Sequence, residues 1–206
     1  TCDQVIYDYI ESIGGKAIMT ADTHERCTER TAEALEKIEA TYKAQPEIII
    51  MVQGDEPMTY PEMLEESLIP FKEDHAAVVA NLYAEIETTE EFIDPNCVKV
   101  VCRAPGKALY FSREPIPSVK KFKGDYPRYK QVCIIPFKRD FLLEYNKMEP
   151  TLLEQVESVD MNRVLESGRD VHMVKTKFST HAVDTKADLE HVEQLMRNDE
   201  LAKSYL

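Results

Sequence analysis

Several features are scarce or missing in this 206-residue sequence, and each absence excludes a class of protein. There is no tryptophan, glycine occurs six times, and no apolar run is longer than the five residues of Ile48–Val52. A helix that crosses a bilayer needs about 20 apolar residues, so the sequence predicts no membrane span. The first residues lack the basic start and apolar stretch of a secretory signal. We therefore expect a cytoplasmic protein.

Disulfide and zinc frameworks are also not indicated. The five cysteines are an odd number without a Cys-x-x-Cys pair, which favours reduced thiols. The formal net charge of −13 argues against nucleic acid as a partner, because such binding depends on Lys and Arg neutralising phosphates. If such an acidic protein binds phosphate groups, a metal ion must reduce the repulsion between its carboxylates and the phosphate.

The apolar pattern predicts a single α/β domain over residues 1–206. Ile48–Val52 is a continuous apolar run, typical of a strand covered on both faces. One helix is predicted to start near Thr28, with Leu35, Ile38 and Tyr42 on one buried stripe, and another runs from Pro61 to Leu68. Strands alternating with helices indicate a mixed, mostly parallel sheet flanked by helices.

The second half of the chain predicts an inserted antiparallel hairpin and two further helices. Residues 98–103 and 108–112 read as two strands joined by a tight turn. Thr151–Ser167 is predicted as the longest helix, and a last helix runs from about Lys186 to Asn198. Between them, Ala182–Thr185 is a β-rich stretch.

Two acidic positions follow predicted strands. The strand Ile48–Val52 leads into Gly54-Asp55-Glu56-Pro57, in which Gly54 permits unusual dihedrals or a close backbone approach, and Asp184 also follows a β-rich stretch. Ligands of open α/β sheets bind beyond the carboxyl ends of the strands, so Asp55 and Asp184 can meet there and hold Mg²⁺, which prefers oxygen ligands. The alternative is a polar turn with solvated carboxylates.

Several motifs together resemble one known family. These are Val52-Gln53-Gly54-Asp55-Glu56-Pro57, residues 94–101, Ala108-Leu109-Tyr110-Phe111-Ser112-Arg113, Ile116-Pro117 and Val183-Asp184-Thr185. In this order they are similar to 3-deoxy-manno-octulosonate cytidylyltransferase, the CMP-Kdo synthetase family. The resemblance implies a Rossmann-like nucleotidyltransferase fold and a homodimer. It also implies that the anomeric hydroxyl of a sugar acid attacks the α-phosphorus of CTP and releases pyrophosphate.

The resemblance also implies roles for single residues. Asp55 and Asp184 would be the Mg²⁺ ligands, and Gln53 would lie beside the acceptor. Thr28 and Arg30 match the Thr-Glu-Arg motif of the family and would lie near the nucleotide. By contrast, the residues preceding this motif are Arg26-Cys27 instead of Ser-Gly, which leaves CTP and UTP open as alternatives.

For Arg113 we expect either a contact with an anionic substrate group or a structural ion pair. His24 has the same ambiguity: it either anchors its loop or contacts substrate.

The acceptor positions depart from the family pattern. Gln131, Ile135 and Asp160-Met161 stand where the family has His, Tyr and Glu-Gln. Losing polar partners weakens recognition of sugar hydroxyls, so another ulosonic acid or an acidic phosphonate is an alternative acceptor. The simplest alternative for Asp160 is a position on a solvated helix face with Glu154 and Glu157.

The start of the sequence is a further departure. Members of the family open with a strand and a loop containing Gly, Arg and Lys around the triphosphate, and we expect this phosphate-loop strand to be missing from residues 1–206. Two alternatives follow: a piece of a longer enzyme, or a non-catalytic nucleotide-sugar-binding relative.

Overall fold

The computed structural model describes residues 1–118 and 120–205. The strands are β1 Ile48–Val52, β2 Ala80–Glu85, β3 Lys99–Arg103, β4 Lys107–Ser112, β5 Tyr129–Val132, β6 Ile134–Lys138 and β7 His172–Lys175. The helices are α1 Gln4–Ser12, α2 Cys27–Tyr42, α3 Pro61–Ser67, α4 Ile69–Glu73, α5 Thr89–Ile93, α6 Arg139–Tyr145, α7 Leu152–Glu157, α8 Asp160–Glu166, α9 Lys186–Met196 and α10 Glu200–Lys203. In this part of the chain, no helix has the length and apolar character needed to cross a membrane.

The central strands are arranged in the order β1, β6, β2, β7. β6 runs antiparallel to β1, and it contacts the start of β2 through an antiparallel bridge between Val79 and Phe137. β2 and β7 are parallel. Consequently β1, β2 and β7 point in the same direction, and their carboxyl ends meet at one edge of the sheet.

The antiparallel part of the sheet is larger than the sequence predicts. The hairpin of β3 and β4 is present, but β5 also pairs antiparallel with β2, and β2, β5, β3, β4 and β7 close into a small barrel. Among the strands described, β2 with β7 is the only parallel pair. The mixed α/β sheet is confirmed, while the expected predominance of parallel pairing is wrong because β6 lies between β1 and β2 in the opposite direction.

A large apolar core lies between the sheet and the helices. Ala32 and Leu35 of α2 are buried in it, as are the rings of Phe137, Phe141 and Tyr145. The predicted stripe of α2 is only partly correct, since Ile38 and Tyr42 are exposed. The last turns of α2 extend beyond the core.

Two predicted elements differ from the structure. The expected helix Thr151–Ser167 is divided into α7 and α8, because Ser158 has a left-handed backbone with φ of 53° and Val159 is extended. The carbonyls of Glu157 and Ser158 accept hydrogen bonds from Arg113 instead of serving a continuous helix. The β-rich stretch Ala182–Thr185 is irregular and belongs to the connection of residues 176–185 between β7 and α9.

Candidate active site

A cleft of about 1120 Å³ opens at the edge where β1, β2 and β7 end. Gln53 and Asp55 follow β1, Glu85 ends β2, and Asp184 lies on the connection after β7; all of them line the cleft. The shared direction of these three strands is what brings residues from distant parts of the chain to one place.

A tight turn holds Asp55 at the mouth of β1. The backbone N–H of Glu56 donates to the Gln53 carbonyl at 3.2 Å, which closes the turn. The N–H of Gln53 donates to the carbonyl of Cys133, and the N–H of Cys133 donates to Glu56 Oε1 at 3.1 Å. The side chain of Glu56 therefore fastens the turn to Cys133, between β5 and β6, and leaves Asp55 lining the cleft.

The expected reason for Gly54 is not borne out by its geometry. Its φ lies outside the left-handed range, and a Cβ built there meets no atom within 4 Å. Neither backbone strain nor a close protein neighbour in the described residues therefore requires glycine.

Asp55 and Asp184 are brought together, as predicted. The backbone N–H of Val183 donates to the Asp55 carbonyl at 2.9 Å, so the two acidic segments are directly bonded. Partial burial raises the pKa of the Asp184 carboxyl, and the negative charge of Asp55 raises it further. Such mutual repulsion requires two carboxylates within electrostatic reach of each other.

The Asp55 side chain fits a cation ligand. Its Oδ1 atom is buried and has no hydrogen-bond partner among the described residues. A buried carboxylate oxygen without a donor is costly unless a cation satisfies it. Asp55 and Asp184 would supply two hard oxygen ligands for Mg²⁺. No cluster of three or more His, Cys, Asp or Glu side chains suited to an ion occurs in the part of the chain described, so other oxygen donors such as water or substrate would complete the coordination.

Glu56 is a neighbour with a different role. It is 8% exposed, and burial raises the pKa of its carboxyl while the hydrogen bond from Cys133 lowers it. The charges of Asp55 and Asp184 raise this pKa further. Glu56 thus adds negative charge next to Asp55 and Asp184 without forming a third ion ligand among the described residues.

Arg113 lines the cleft and is held by backbone carbonyls. It donates from Nε to the Glu157 carbonyl at 2.8 Å, from Nη1 to Pro95 at 2.9 Å and from Nη2 to Ser158 at 3.3 Å. Its own backbone N–H donates to Glu157 Oε2. These bonds hold the guanidinium in place, so Arg113 has a structural role. Because Arg113 also lines the cleft, it is placed where it could contact an anionic group.

Thr28 and Arg30 lie behind the cleft wall and do not line it. Thr28 is fully buried and donates to Asp160 Oδ2 at 2.8 Å. Arg30 donates to Thr20 Oγ1 at 2.6 Å and to the Ala21 carbonyl at 3.1 Å. Their observed contacts support the beginning of α2.

His24 anchors its loop through a hydrogen bond with the Glu33 side chain. This contact fits the first of the two roles considered for His24. It is likewise absent from the lining of the cleft.

Asp160 lines the cleft, and it is not part of a solvated helix face. Glu154, one of its predicted companions on that face, is fully buried and paired with Arg163. Burial raises the pKa of the Asp160 carboxyl. Two contacts offset part of this rise: the hydrogen bond from Thr28 and the charge of Arg26, whose Nη1 lies 3.6 Å away. Asp160 therefore joins the start of α8 to the start of α2.

Gln131 also lines the cleft. Its Nε2 donates to Asn81 Oδ1 at 2.6 Å, which orients the side chain and leaves its carbonyl oxygen as an acceptor. Of the other positions that depart from the family pattern, Ile135 lines the cleft and Met161 does not.

Sequence reasoning missed Lys130 and Glu157. Lys130 lines the cleft and contacts the connection that carries Asp184. Glu157 accepts hydrogen bonds from the hydroxyls of Tyr110 and Ser112 and from the Arg113 backbone. The sequence carries no specific signal for either residue, since it predicts no element at Lys130 and places Glu157 on a solvated helix face.

The sequence matches the family model described as Cytidylyltransferase over residues 1–175. It is 38% identical to a 3-deoxy-manno-octulosonate cytidylyltransferase of Geotalea uraniireducens, over 93% of this chain and 78% of the relative. It is 40% identical to the protein of that name from Fusobacterium nucleatum, over 93% of this chain and 76% of the relative.

A solved structure of CMP:2-keto-3-deoxy-manno-octonic acid synthetase complexed with CTP is similar with a TM-score of 0.80 and 35% identity. That alignment covers 95% of this chain and 78% of the solved chain. A 4-diphosphocytidyl-2C-methyl-D-erythritol synthase of Anaerococcus prevotii, with a TM-score of 0.57 and 14% identity, shares the fold.

Proposed function

The chain belongs to the 3-deoxy-manno-octulosonate cytidylyltransferase family, and we propose that it transfers CMP from CTP to 3-deoxy-manno-octulosonate with release of pyrophosphate. The family resemblance of the sequence motifs is thereby confirmed, as is the Rossmann-like nucleotidyltransferase fold. The observation that carries the proposal is the meeting of Asp55 and Asp184 at the carboxyl edge of the sheet.

We propose that Asp55 and Asp184 hold Mg²⁺. Mg²⁺ bound there would neutralise charge on the phosphate oxygens and on the leaving pyrophosphate. The unpartnered Oδ1 of Asp55 supports this assignment. A Mg²⁺ ion in this position explains how a cleft lined by acidic side chains accepts a nucleotide, which is also negatively charged.

The remaining residues position the reactants in this proposal. Gln53 and Gln131 offer amide groups to the acceptor hydroxyls, and Asp160 offers a carboxylate. Arg113, fixed by three carbonyls, orients an anionic group of the substrate. Thr28 acts on the site through Asp160.

Arg30 acts from behind the wall, where it braces the segment before α2 through Thr20. In this proposal Thr28 and Arg30 therefore support the wall of the cleft without reaching into it.

The test is pyrophosphate release by the complete protein, with Mg²⁺, CTP and a panel of acceptors. We expect release with 3-deoxy-manno-octulosonate and CTP, and much less with UTP. Release only with another ulosonic acid or a phosphonate would show that the acceptor differs, and the residues that depart from the family pattern would explain the difference. Binding of nucleotide without release for any acceptor would instead favour a non-catalytic relative.

A homodimer is also proposed. Leu152, Leu153 and Val156 of α7 are exposed apolar side chains on neighbouring turns, which suits a protein contact. Light scattering of the purified protein should give twice the mass of one chain. The cytoplasmic location stays a prediction from the sequence.

A further inference from the structure

The connection between β7 and α9, residues 176–185, has no helix or strand of its own and carries Asp184. An irregular segment of this length loses considerable conformational entropy when it is held in one shape. The Asp184 side chain can therefore be held next to Asp55 only if tertiary contacts fix the backbone of the connection.

The two ends of the connection are fixed by different contacts. At the start, the N–H of Thr176 donates to the Tyr83 carbonyl at 2.9 Å, and the Phe178 ring stacks on Tyr60 with centroids 4.7 Å apart. At the far end, the N–H of Val183 donates to the Asp55 carbonyl. The middle of the connection, at the buried Thr180, needs a separate anchor.

Lys130 of β5 supplies that anchor. Its Nζ donates to the Thr180 carbonyl at 2.8 Å, and its side chain is 13% exposed. The same Nζ is hydrogen-bonded to the carboxylate of Glu91 in α5. A charged donor forms a stronger hydrogen bond than a neutral one, and its partner Glu91 keeps the ammonium aimed at the connection.

We infer that Lys130 is a positioning residue that holds Asp184 in register with Asp55 by anchoring the connection at Thr180. This inference rests on the proposed function, because it assumes that the two aspartates bind a divalent cation. Lys130 acts through the Thr180 carbonyl and is not itself a cation ligand. Partners that orient metal ligands in this way change metal affinity about tenfold to a hundredfold when they are removed.

The experiment compares Mn²⁺ binding by the complete protein and its variants without nucleotide, followed by the electron paramagnetic resonance of free Mn²⁺. Lys130→Met removes the donor, and Lys130→Arg retains a cation of similar reach. Lys107→Met is the matched control, because Lys107 is also a strand lysine paired with a carboxylate, that of Asp170, but does not line the cleft. We expect Mn²⁺ affinity about tenfold to a hundredfold lower in Lys130→Met and near wild type in the other two.

A second measurement reports on the connection itself. Lys177 is exposed within it, so trypsin cleavage after Lys177 should be faster in Lys130→Met than in Lys107→Met. If Lys130→Met cannot be purified folded, Lys130→Gln takes its place in both measurements.

The outcomes separate the two claims. Undiminished Mn²⁺ affinity in Lys130→Met, with binding by the wild type, would overturn the positioning role alone. Wild-type protein that neither binds Mn²⁺ nor releases pyrophosphate from CTP would overturn the proposed function.

Discussion

Replacing Asp55 by Asn should remove the metal-dependent properties of the protein and leave the fold intact. The substitution keeps the size of the side chain and its backbone carbonyl, which accepts from Val183. It removes a negative charge that raises the pKa of Glu56 and Asp184, so repulsion in the metal-free protein decreases. We therefore expect no loss of stability in the absence of metal.

The expected effect of Mg²⁺ on stability follows from the linkage between ligand binding and folding. At a Mg²⁺ concentration of about 100 Kd, a ligand that binds only the folded state adds about 2.7 kcal/mol to the free energy of unfolding. For a chain of this size, each kcal/mol raises Tm by about 2–4 °C, so Mg²⁺ at that concentration should raise the wild-type Tm by about 5–11 °C. In Asp55→Asn this rise should largely vanish. Turnover should fall by about 10²–10³, because charge stabilisation of the transferring phosphate is lost.

The assays are thermal unfolding with and without Mg²⁺, and pyrophosphate release from CTP. Asp170→Asn is the control, since Asp170 pairs with Lys107 and Arg103 and does not line the cleft. An Asp55→Asn protein that retains both the Mg²⁺-dependent rise in Tm and its turnover would refute the metal assignment.

Three other predictions concern stability and orientation. Arg163→Met should lower the free energy of unfolding by about 3–5 kcal/mol in a urea titration, because it leaves the fully buried Glu154 carboxylate without its partner; a loss below about 1 kcal/mol would contradict this. The hydrogen bond from Lys37 is the main cause that lowers the pKa of Glu33 from 4.5 to about 2. The contribution of Glu33 to stability is therefore fully present above pH 4.5 and is lost as the pH falls through about 2. The Tm deficit of Glu33→Gln should therefore be full at pH 7 and close over that interval, and a deficit independent of pH would count against it. Arg113→Lys cannot keep all three carbonyl hydrogen bonds in the same geometry, so Tm should fall and kcat/KM for pyrophosphate release should fall at least about tenfold; an unchanged kcat/KM would exclude the orienting role.

The sequence by itself determined the local elements and the family. The apolar run Ile48–Val52 is a strand with the predicted ends, and Pro61 begins a helix as expected. The positions of Asp55 and Asp184 after predicted β segments allowed them to meet, and the family resemblance implied that they do. The ends of these elements depend on the side-chain pattern of neighbouring residues, which is a local property that a sequence carries.

Only the tertiary structure decided which polar residues reach the cleft. Thr28 turned away from it to bond Asp160, which lies 132 positions later, and Arg113 took the carbonyls that would have continued α7 into α8. The bond from Lys130 to Thr180 likewise joins residues 50 positions apart. Pairings of this kind depend on how strands and helices pack in three dimensions, and a polar side chain in a sequence carries no mark of its distant partner.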